Sequence, residues 1–118
     1  MIRFRQKNVL TKAQISEVVH CLKRATRIKN LILFGSYARG IATNDSDLDL
    51  VVILDEPGFL STYMERVLRR VELSKSLGEI EQQTTVDILL YTEDEWKKLL
   101  TIDSAFTREI LSTGQTLA

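Results

Sequence analysis

The sequence predicts an α/β fold in which a small mixed β-sheet is flanked by helices. Short apolar runs with strand character alternate along the chain with segments whose apolar residues recur every three or four positions, as on one face of a helix. The chain has 118 residues, 44% of them hydrophobic, which is enough for one core. We therefore expect a single domain over residues 1–118.

The first predicted helix begins after Thr11, because Gln14 stands three residues later and completes a capping-box pattern. We expect this helix to end at Asn30. Cys21 should pack inside it and the lone His20 should lie on its surface; one cysteine excludes an internal disulfide and a cysteine-based zinc site. The apolar stripe of the helix is Ile15, Val18, Val19, Leu22 and Ala25.

Two strands and a polar loop follow. The run LILF at 31–34 predicts a buried strand, and Gly35-Ser36 predicts a turn from which a short helix could start. The polar segment 41–46 predicts a loop, and LDLVVIL at 48–54 predicts the second strand.

A turn rich in breakers, at 55–58, precedes a second helix that begins at Leu60. The apolar residues of this helix favour packing against the core or a partner over a cofactor site. Thr85 to Tyr91 predicts a third strand. The helical stripe is Tyr63, Met64, Val67, Leu68, Val71 and Leu77.

The chain closes with two short predicted helices. Thr92 with Glu95 repeats the capping-box pattern ahead of the apolar residue Trp96. A last helix, at 104–112, should end near Gly114.

Charge is balanced overall but unevenly distributed. The formal net charge is zero, yet residues 1–30 carry eight Lys/Arg and one acid, Glu17. This basic segment could face RNA, a phosphate ligand or an acidic partner, or could be a solvated helix face. No run approaches the roughly 20 apolar residues that span a bilayer, so we expect a cytoplasmic protein without membrane association.

The most informative residues are Asp47 and Asp49. Side chains two positions apart on a strand share one side, so these carboxylates should project together while Leu48 and Leu50 face the core. Like charges repel each other and resist desolvation. A positive group is therefore expected between the two aspartates.

Asp87 supplies a third carboxylate. It lies in the third predicted strand among apolar neighbours, where an unpaired buried charge would cost several kcal/mol, by order of magnitude. If the third strand lies beside the second, Asp87 can join Asp47 and Asp49. Three carboxylates on one sheet face would form a hard oxygen site for Mg²⁺ or Mn²⁺.

Gly35 and Ser36 suit the other half of such a site. Glycine lets the backbone approach a ligand closely, the Ser36 hydroxyl and the following amides can donate to phosphate oxygens, and Arg39 can neutralise phosphate charge. A phosphate cradle beside a carboxylate–metal site indicates nucleotidyl transfer with two metal ions. Asp87 would help to deprotonate the nucleophile.

The pattern resembles the nucleotidyltransferase superfamily that includes DNA polymerase beta. Gly35-Ser36, ten intervening residues, Asp47-Leu48-Asp49 and the later Asp87 match its hallmark. The string GSYARGIATNDSDLDL is similar to that of the minimal nucleotidyltransferases, or MNT proteins, and REILSTGQTL at 108–117 resembles the end of such domains. The clear match covers residues 31–91.

This resemblance implies an antitoxin enzyme that transfers AMP from ATP to a tyrosine hydroxyl of a HEPN-domain ribonuclease toxin. It implies no stable binding of nucleic acid, and a hetero-oligomer with the toxin or a homodimer. Two Mg²⁺ ions, or Mn²⁺, would be the cofactors. Asp47, Asp49 and Asp87 would hold the metals, and Gly35, Ser36 and Arg39 would hold the nucleotide.

Two alternatives remain open from the sequence. The chain could neutralise the toxin by binding alone, through the helix that follows Leu60. It could also modify a small molecule of the aminoglycoside type together with a separate helical subunit. Three clustered carboxylates argue against pure binding, because a plug has no use for them.

Overall fold

The computed structural model describes residues 8–118, and the basic residues Arg3, Arg5 and Lys7 lie outside that range. Within it the chain forms a four-stranded sheet of order β3-β2-β1-β4. The strands are β1 (Ile28–Phe34), β2 (Leu48–Leu54), β3 (Val86–Thr92) and β4 (Gln115–Thr116). The predicted mixed α/β architecture is thereby confirmed.

Six helices accompany the strands in the described residues. They are α1 (Lys12–Ala25), α2 (Gly35–Ala38), α3 (Tyr63–Ser76), α4 (Ile80–Gln83), α5 (Glu93–Leu100) and α6 (Ala105–Thr113). None of them is long and apolar enough to cross a membrane.

The strand pairing is both antiparallel and parallel. β1 runs antiparallel to β2 and to β4, whereas β2 and β3 are parallel. A parallel neighbour requires a crossover connection, and here α3 and α4 supply it. Consequently the end of β1 and the starts of β2 and β3 lie at one end of the sheet, which we call the acidic end because Asp49 and Asp87 lie there.

Helices cover both faces of the sheet. One face packs against α1, α3 and α4 through a cluster that includes Leu22, Leu50 and Leu73. The other packs against α5 and α6 through a smaller cluster around Val51 and Trp96. Alternate residues of β2 thus enter opposite layers, as the period of two in a strand requires.

Both predicted capping boxes are present. Thr11 accepts from the backbone N–H of Gln14 at 3.1 Å while Gln14 Oε1 accepts from the N–H of Thr11 at 2.8 Å. Thr92 and Glu95 repeat this exchange at the start of α5. These reciprocal bonds satisfy amides that the first helical turn leaves without partners.

Several predicted boundaries were wrong. α1 ends at Ala25 instead of Asn30, because β1 already begins at Ile28 and pairs with β2 there. β3 and α6 are each displaced by about one residue from their predicted ranges, 85–91 and 104–112. The one-turn α4 and the two-residue β4 carry no clear pattern and were missed.

The second helix differs more from its prediction. α3 begins at Tyr63, not Leu60, and its core contact is made by Leu73, followed by Leu77 just after the helix. Most of the predicted apolar stripe is solvent-exposed. The exposed members are Tyr63 (77%), Met64 (59%), Leu68 (58%) and Val71 (43%).

Candidate nucleotidyl-transfer site

The acidic end of the sheet brings together residues that are distant in sequence. Asp49 is the second residue of β2, and its antiparallel partner is Phe34, the residue before Gly35. Its parallel partner is Asp87, the second residue of β3. The condition stated from the sequence, that β3 lies beside β2, is met, and Asp49 and Asp87 are direct neighbours in register.

Gly35 is shaped to the side chain of Asp49. Its φ of 72° lies in the left-handed region that favours glycine. A Cβ on Gly35 would overlap Asp49 Oδ2 and would lie 3.1 Å from Asp49 Cγ. Only glycine lets the turn after β1 approach the carboxylate this closely.

Ser36 and Arg39 lie on the same turn. Ser36 is half-buried in the first turn of α2, and its carbonyl accepts from the N–H of Ile41 at 3.0 Å. Arg39 follows α2 directly and is exposed. A cation at this position faces the acidic end and remains free to meet an anionic ligand.

The electrostatics of the site centre on Asp49. Its pKa is raised from 3.8 to about 6, first by burial and then by the neighbouring charges of Asp87 and Asp47. Arg39 opposes this rise. A carboxylate under such repulsion would gain from a nearby cation, which agrees with the charge argument from the sequence.

Asp47 stands immediately before β2, at the end of a short ordered loop. Ser46 Oγ accepts from the N–H of Thr43 at 2.8 Å, and Ser46 O accepts from Thr84 Oγ1 at 3.3 Å. Asp45 is exposed in this loop. Ser46 therefore shapes the loop and connects it to the segment that enters β3.

Asp87 is not surrounded by apolar side chains, contrary to the sequence argument. It is exposed, whereas its neighbours Val86 and Ile88 are buried on the opposite face of the strand. Because Asp87 lies near the start of β3, its side of the sheet is open to solvent at that level. The Asp87 carboxylate therefore stays in contact with solvent, and the expected desolvation cost is avoided without an ion-pair partner among residues 8–118.

Glu109 is a charged neighbour that sequence reasoning missed. It lies on α6, between Phe106 and Ile110, on the helix side that packs against the sheet. The Phe106 ring meets Phe34 edge-on at 5.6 Å, and Glu109 adds to the charges that raise the pKa of Asp49. Glu109 follows Phe106 by three residues, a spacing that places both on one face of a helix, and this was the sequence feature that could have indicated its position.

Other residues singled out from sequence have structural surroundings. His20 is exposed on α1, and Cys21 packs against the larger core cluster. Tyr37 also packs against that cluster, and its hydroxyl accepts from the N–H of Leu10 at 3.0 Å. Tyr37 is therefore held in place by packing and by this hydrogen bond.

The residues of the acidic end bear on whether a divalent metal ion could bind there. Among residues 8–118, no three carboxylate, imidazole or thiolate side chains are grouped closely enough to form a complete metal-binding set. The donor chemistry nevertheless fits a hard cation, because the charges of Asp47 and Asp87 act on Asp49 and all three offer carboxylate oxygens.

Comparison with known proteins gives the family. A family model described as polymerase beta nucleotidyltransferase matches residues 16–117, a range that includes Gly35, Asp49 and Asp87. The chain belongs to this nucleotidyltransferase family. It is an enzyme domain, and enzymes of this family use a nucleoside triphosphate and a divalent metal ion.

Two curated relatives come from Methanocaldococcus jannaschii. The nucleotidyltransferase is 39% identical over 70 residues to "Putative protein adenylyltransferase MJ1379". The aligned region covers 49% of this chain and 70% of that protein. It is 51% identical over 43 residues to "Putative protein adenylyltransferase MJ0604", covering 35% of this chain and 43% of that protein.

Solved structures share the fold. One, described as a toxin–antitoxin with AMP-PNP, superposes with a TM-score of 0.53 at 20% identity and covers 92% of this chain and 73% of that one. A mutant of the toxin–antitoxin pair MntA–HpeT gives a TM-score of 0.52 at 17% identity, over 87% and 70% of the two chains. At these identities the likeness supports the fold.

Proposed function

We propose that this nucleotidyltransferase is an antitoxin that transfers AMP from ATP to a tyrosine hydroxyl of a cognate HEPN ribonuclease toxin. The observation that carries the proposal is the pairing of Asp49 with Asp87 opposite the Gly35 turn. The names of the two curated relatives, both protein adenylyltransferases, support a protein acceptor.

Asp47, Asp49 and Asp87 would hold two Mg²⁺ ions, with Mn²⁺ as the substitute. The bound ions would lower the pKa of the acceptor hydroxyl and offset the charge of the triphosphate. The residues fit this role because burial, and then the charges of Asp87 and Asp47, raise the pKa of Asp49 to about 6.

The phosphate side of the site would be formed by the Gly35 turn. The absence of a side chain on Gly35 leaves its backbone close to Asp49, so phosphates bound there lie beside the carboxylates. The Ser36 hydroxyl would donate to a phosphate oxygen, and Arg39 would neutralise charge on the triphosphate.

The acceptor side would be formed by Asp87. Its carboxylate is exposed, in register with Asp49, and can be reached by an incoming hydroxyl. Asp87 would take the tyrosine proton as the oxygen attacks the α-phosphorus of ATP and pyrophosphate departs. The AMP left on the tyrosine would block the toxin by bulk and added negative charge.

The test is an intact-mass measurement. The purified protein is incubated with its neighbouring gene product, ATP and Mg²⁺, and the partner is weighed by mass spectrometry. We expect a gain of one or more AMP units, lost in the Asp47→Ala/Asp49→Ala variant. Asp45→Ala is the matched control, because Asp45 is an exposed acid of the same loop and should leave transfer intact.

A second candidate function is neutralisation by binding alone. The exposed apolar side chains of α3, such as Leu68 at 58%, favour it because a surface of this kind marks protein contacts. A tight inactive complex with no mass gain on the partner would establish this function and exclude the enzymatic one.

A further inference from the structure

The outer face of α3 carries a groove, lined by both apolar and polar side chains, that the transfer site does not use. The groove measures about 630 Å³ and is lined by α3 and by the segment around α4. Tyr63 and Val71 line it, and Met64 and Leu68 extend the apolar surface beside it. Soluble proteins rarely leave such a continuous apolar surface open unless something binds there.

Cations stand beside this apolar surface. Arg70 and Lys75 line the groove and are exposed. Neither forms an ion pair with a carboxylate of residues 8–118, in contrast to Arg69, which contacts Glu56. Glu81 of α4 also lines the groove, so the cations lie on the α3 side. A ligand therefore gains there from apolar side chains flanked by acidic ones.

The groove is connected to the acidic end of the sheet. α3 is followed by α4, and the chain then enters β3 at Val86, one position before Asp87. Thr84 donates to Ser46 O, and the N–H of Leu48 donates to Thr85 O at 2.9 Å. The wall of the groove and the loop that carries Asp47 are thus parts of one hydrogen-bonded unit.

We propose that this groove is the docking site for the protein acceptor and that it binds an amphipathic helix with an apolar stripe flanked by acidic residues. This inference rests on the proposed function and names the surface through which the acceptor is recognised. An α-helix laid on α3 would place i, i+3, i+4 and i+7 side chains along the groove.

The size of α3 bears on which partner binds it. It favours an acceptor that also reaches the acidic end, and it disfavours a second copy of this chain paired through α3 alone. Fourteen helical residues span only about 21 Å. That length offers only part of the roughly 800 Å² per partner that stable complexes bury. A partner that continues from α3 around α4 to Asp87 would supply the remainder.

The position of the groove also constrains the acceptor residue. α3 covers the sheet face opposite the one on which α5 and α6 pack, and Asp49 and Asp87 face the α5–α6 side at the end of the sheet. A tyrosine on the docked helix itself would point at α3. The modified residue should therefore lie outside the docked helix, on a segment that passes around the end of the sheet.

The test separates docking from chemistry. The affinity of the neighbouring gene product is measured by titration calorimetry for the full chain and for the Leu68→Glu/Val71→Glu variant, and AMP transfer is followed in parallel. We expect the variant to bind at least about 30-fold more weakly, as for the loss of an interface hot spot. AMP transfer should return towards the wild-type rate at saturating partner.

Leu111→Glu is the matched control, because Leu111 is 72% exposed in a helix on the other face. It should bind normally. Arg70→Ala/Lys75→Ala should bind more weakly and show less dependence on salt than the wild type, since acidic partner groups would lose their cations.

The outcomes distinguish a failure of the docking site from a failure of the proposed enzymatic function. Transfer by the wild type with normal binding by the Leu68→Glu/Val71→Glu variant would overturn the docking site and leave the enzymatic function intact. Weakened binding without any transfer by the wild type would support the docking site and exclude the enzymatic function. A dimer of this chain that the variant dissociates, with partner binding unchanged, would also overturn the proposal.

Discussion

β2 changes character between its first and second halves. The first half carries Asp49, a half-buried carboxylate whose pKa is raised to about 6 by burial and by neighbouring acids. The second half, from Val51 to Leu54, is buried on both faces of the sheet. The first half therefore combines the buried Leu48 and Leu50 with a charge that resists folding, whereas the second half supplies apolar burial alone.

The difference shows how a small domain can carry an unfavourable site. The Asp49 carboxylate lies at the end of the strand, where solvent or a cation can reach it. The buried apolar side chains of the second half lie where α1 and α3 on one face and α5 on the other exclude water. Changes in the two halves should therefore act on different properties of the protein.

The largest effect on stability is expected from the second half. Leu54→Ala removes a side chain that is 1% exposed and leaves a cavity in the larger cluster. We expect the free energy of unfolding to fall by about 3 kcal/mol, measured by urea denaturation. Transfer by the folded fraction should stay near the wild-type rate; a selective loss of activity would contradict the division.

Gly35→Ala should act mainly on the first half. Its Cβ would push Asp49 aside, and a displacement of about 1 Å can cost about 100-fold in rate. Gly40→Ala is the matched control, because Gly40 also has a positive φ, 73°, but no atom within 4 Å of the added carbon. Both variants should lose about 1 kcal/mol of stability from the backbone.

The rate of AMP transfer separates these two glycine variants. Only Gly35→Ala should lose it. Equal losses in both would mean that the left-handed turn, and not the contact with Asp49, sets the activity.

The smallest effect is a gain in stability. Folded Asp49 keeps its proton up to about pH 6, whereas the unfolded chain releases it near the ordinary pKa of 3.8. Folding therefore takes up a proton between these values, and stability should fall as pH rises from about 4 to about 6. Asp49→Asn should remove this fall.

At pH 7 without metal, Asp49→Asn should be more stable than the wild type by about 1 kcal/mol, after allowing for solvent screening. Thermal melting with and without Mg²⁺ tests it. Mg²⁺ should stabilise the wild type more than the variant. A variant less stable than the wild type at every pH would contradict the conclusion that burial and repulsion of the Asp49 charge oppose folding.

The sequence predicted the parts of the fold that local chemistry specifies. The reciprocal bonds of Thr11 with Gln14 and of Thr92 with Glu95 are set within four residues, and the range of β2 follows from its continuous apolar run. Elements set by distant contacts were missed. β4 exists only because Gln115 and Thr116 pair with β1.

The residues of the site also divide into those that local sequence specifies and those that distant contacts bring together. Asp47 and Asp49 could be assigned from their spacing, whereas the meeting of Asp49 with Asp87 depends on the parallel register of β2 and β3. The proximity of Glu109 required the packing of Phe106 on Phe34, which spans more than 70 residues. The exposure of α3 could not be deduced because its stripe suits a core and a partner equally.

The most direct test of the proposed site is single-turnover AMP transfer by Asp87→Asn, compared with the wild type and with Asp45→Asn. If the register of β2 and β3 builds the site, Asp87→Asn should lose more than about 100-fold in rate, since even outer-shell partners of a metal ligand cost about 10–100-fold. It should keep the wild-type circular dichroism spectrum. Transfer at the wild-type rate by Asp87→Asn would contradict the three-carboxylate site.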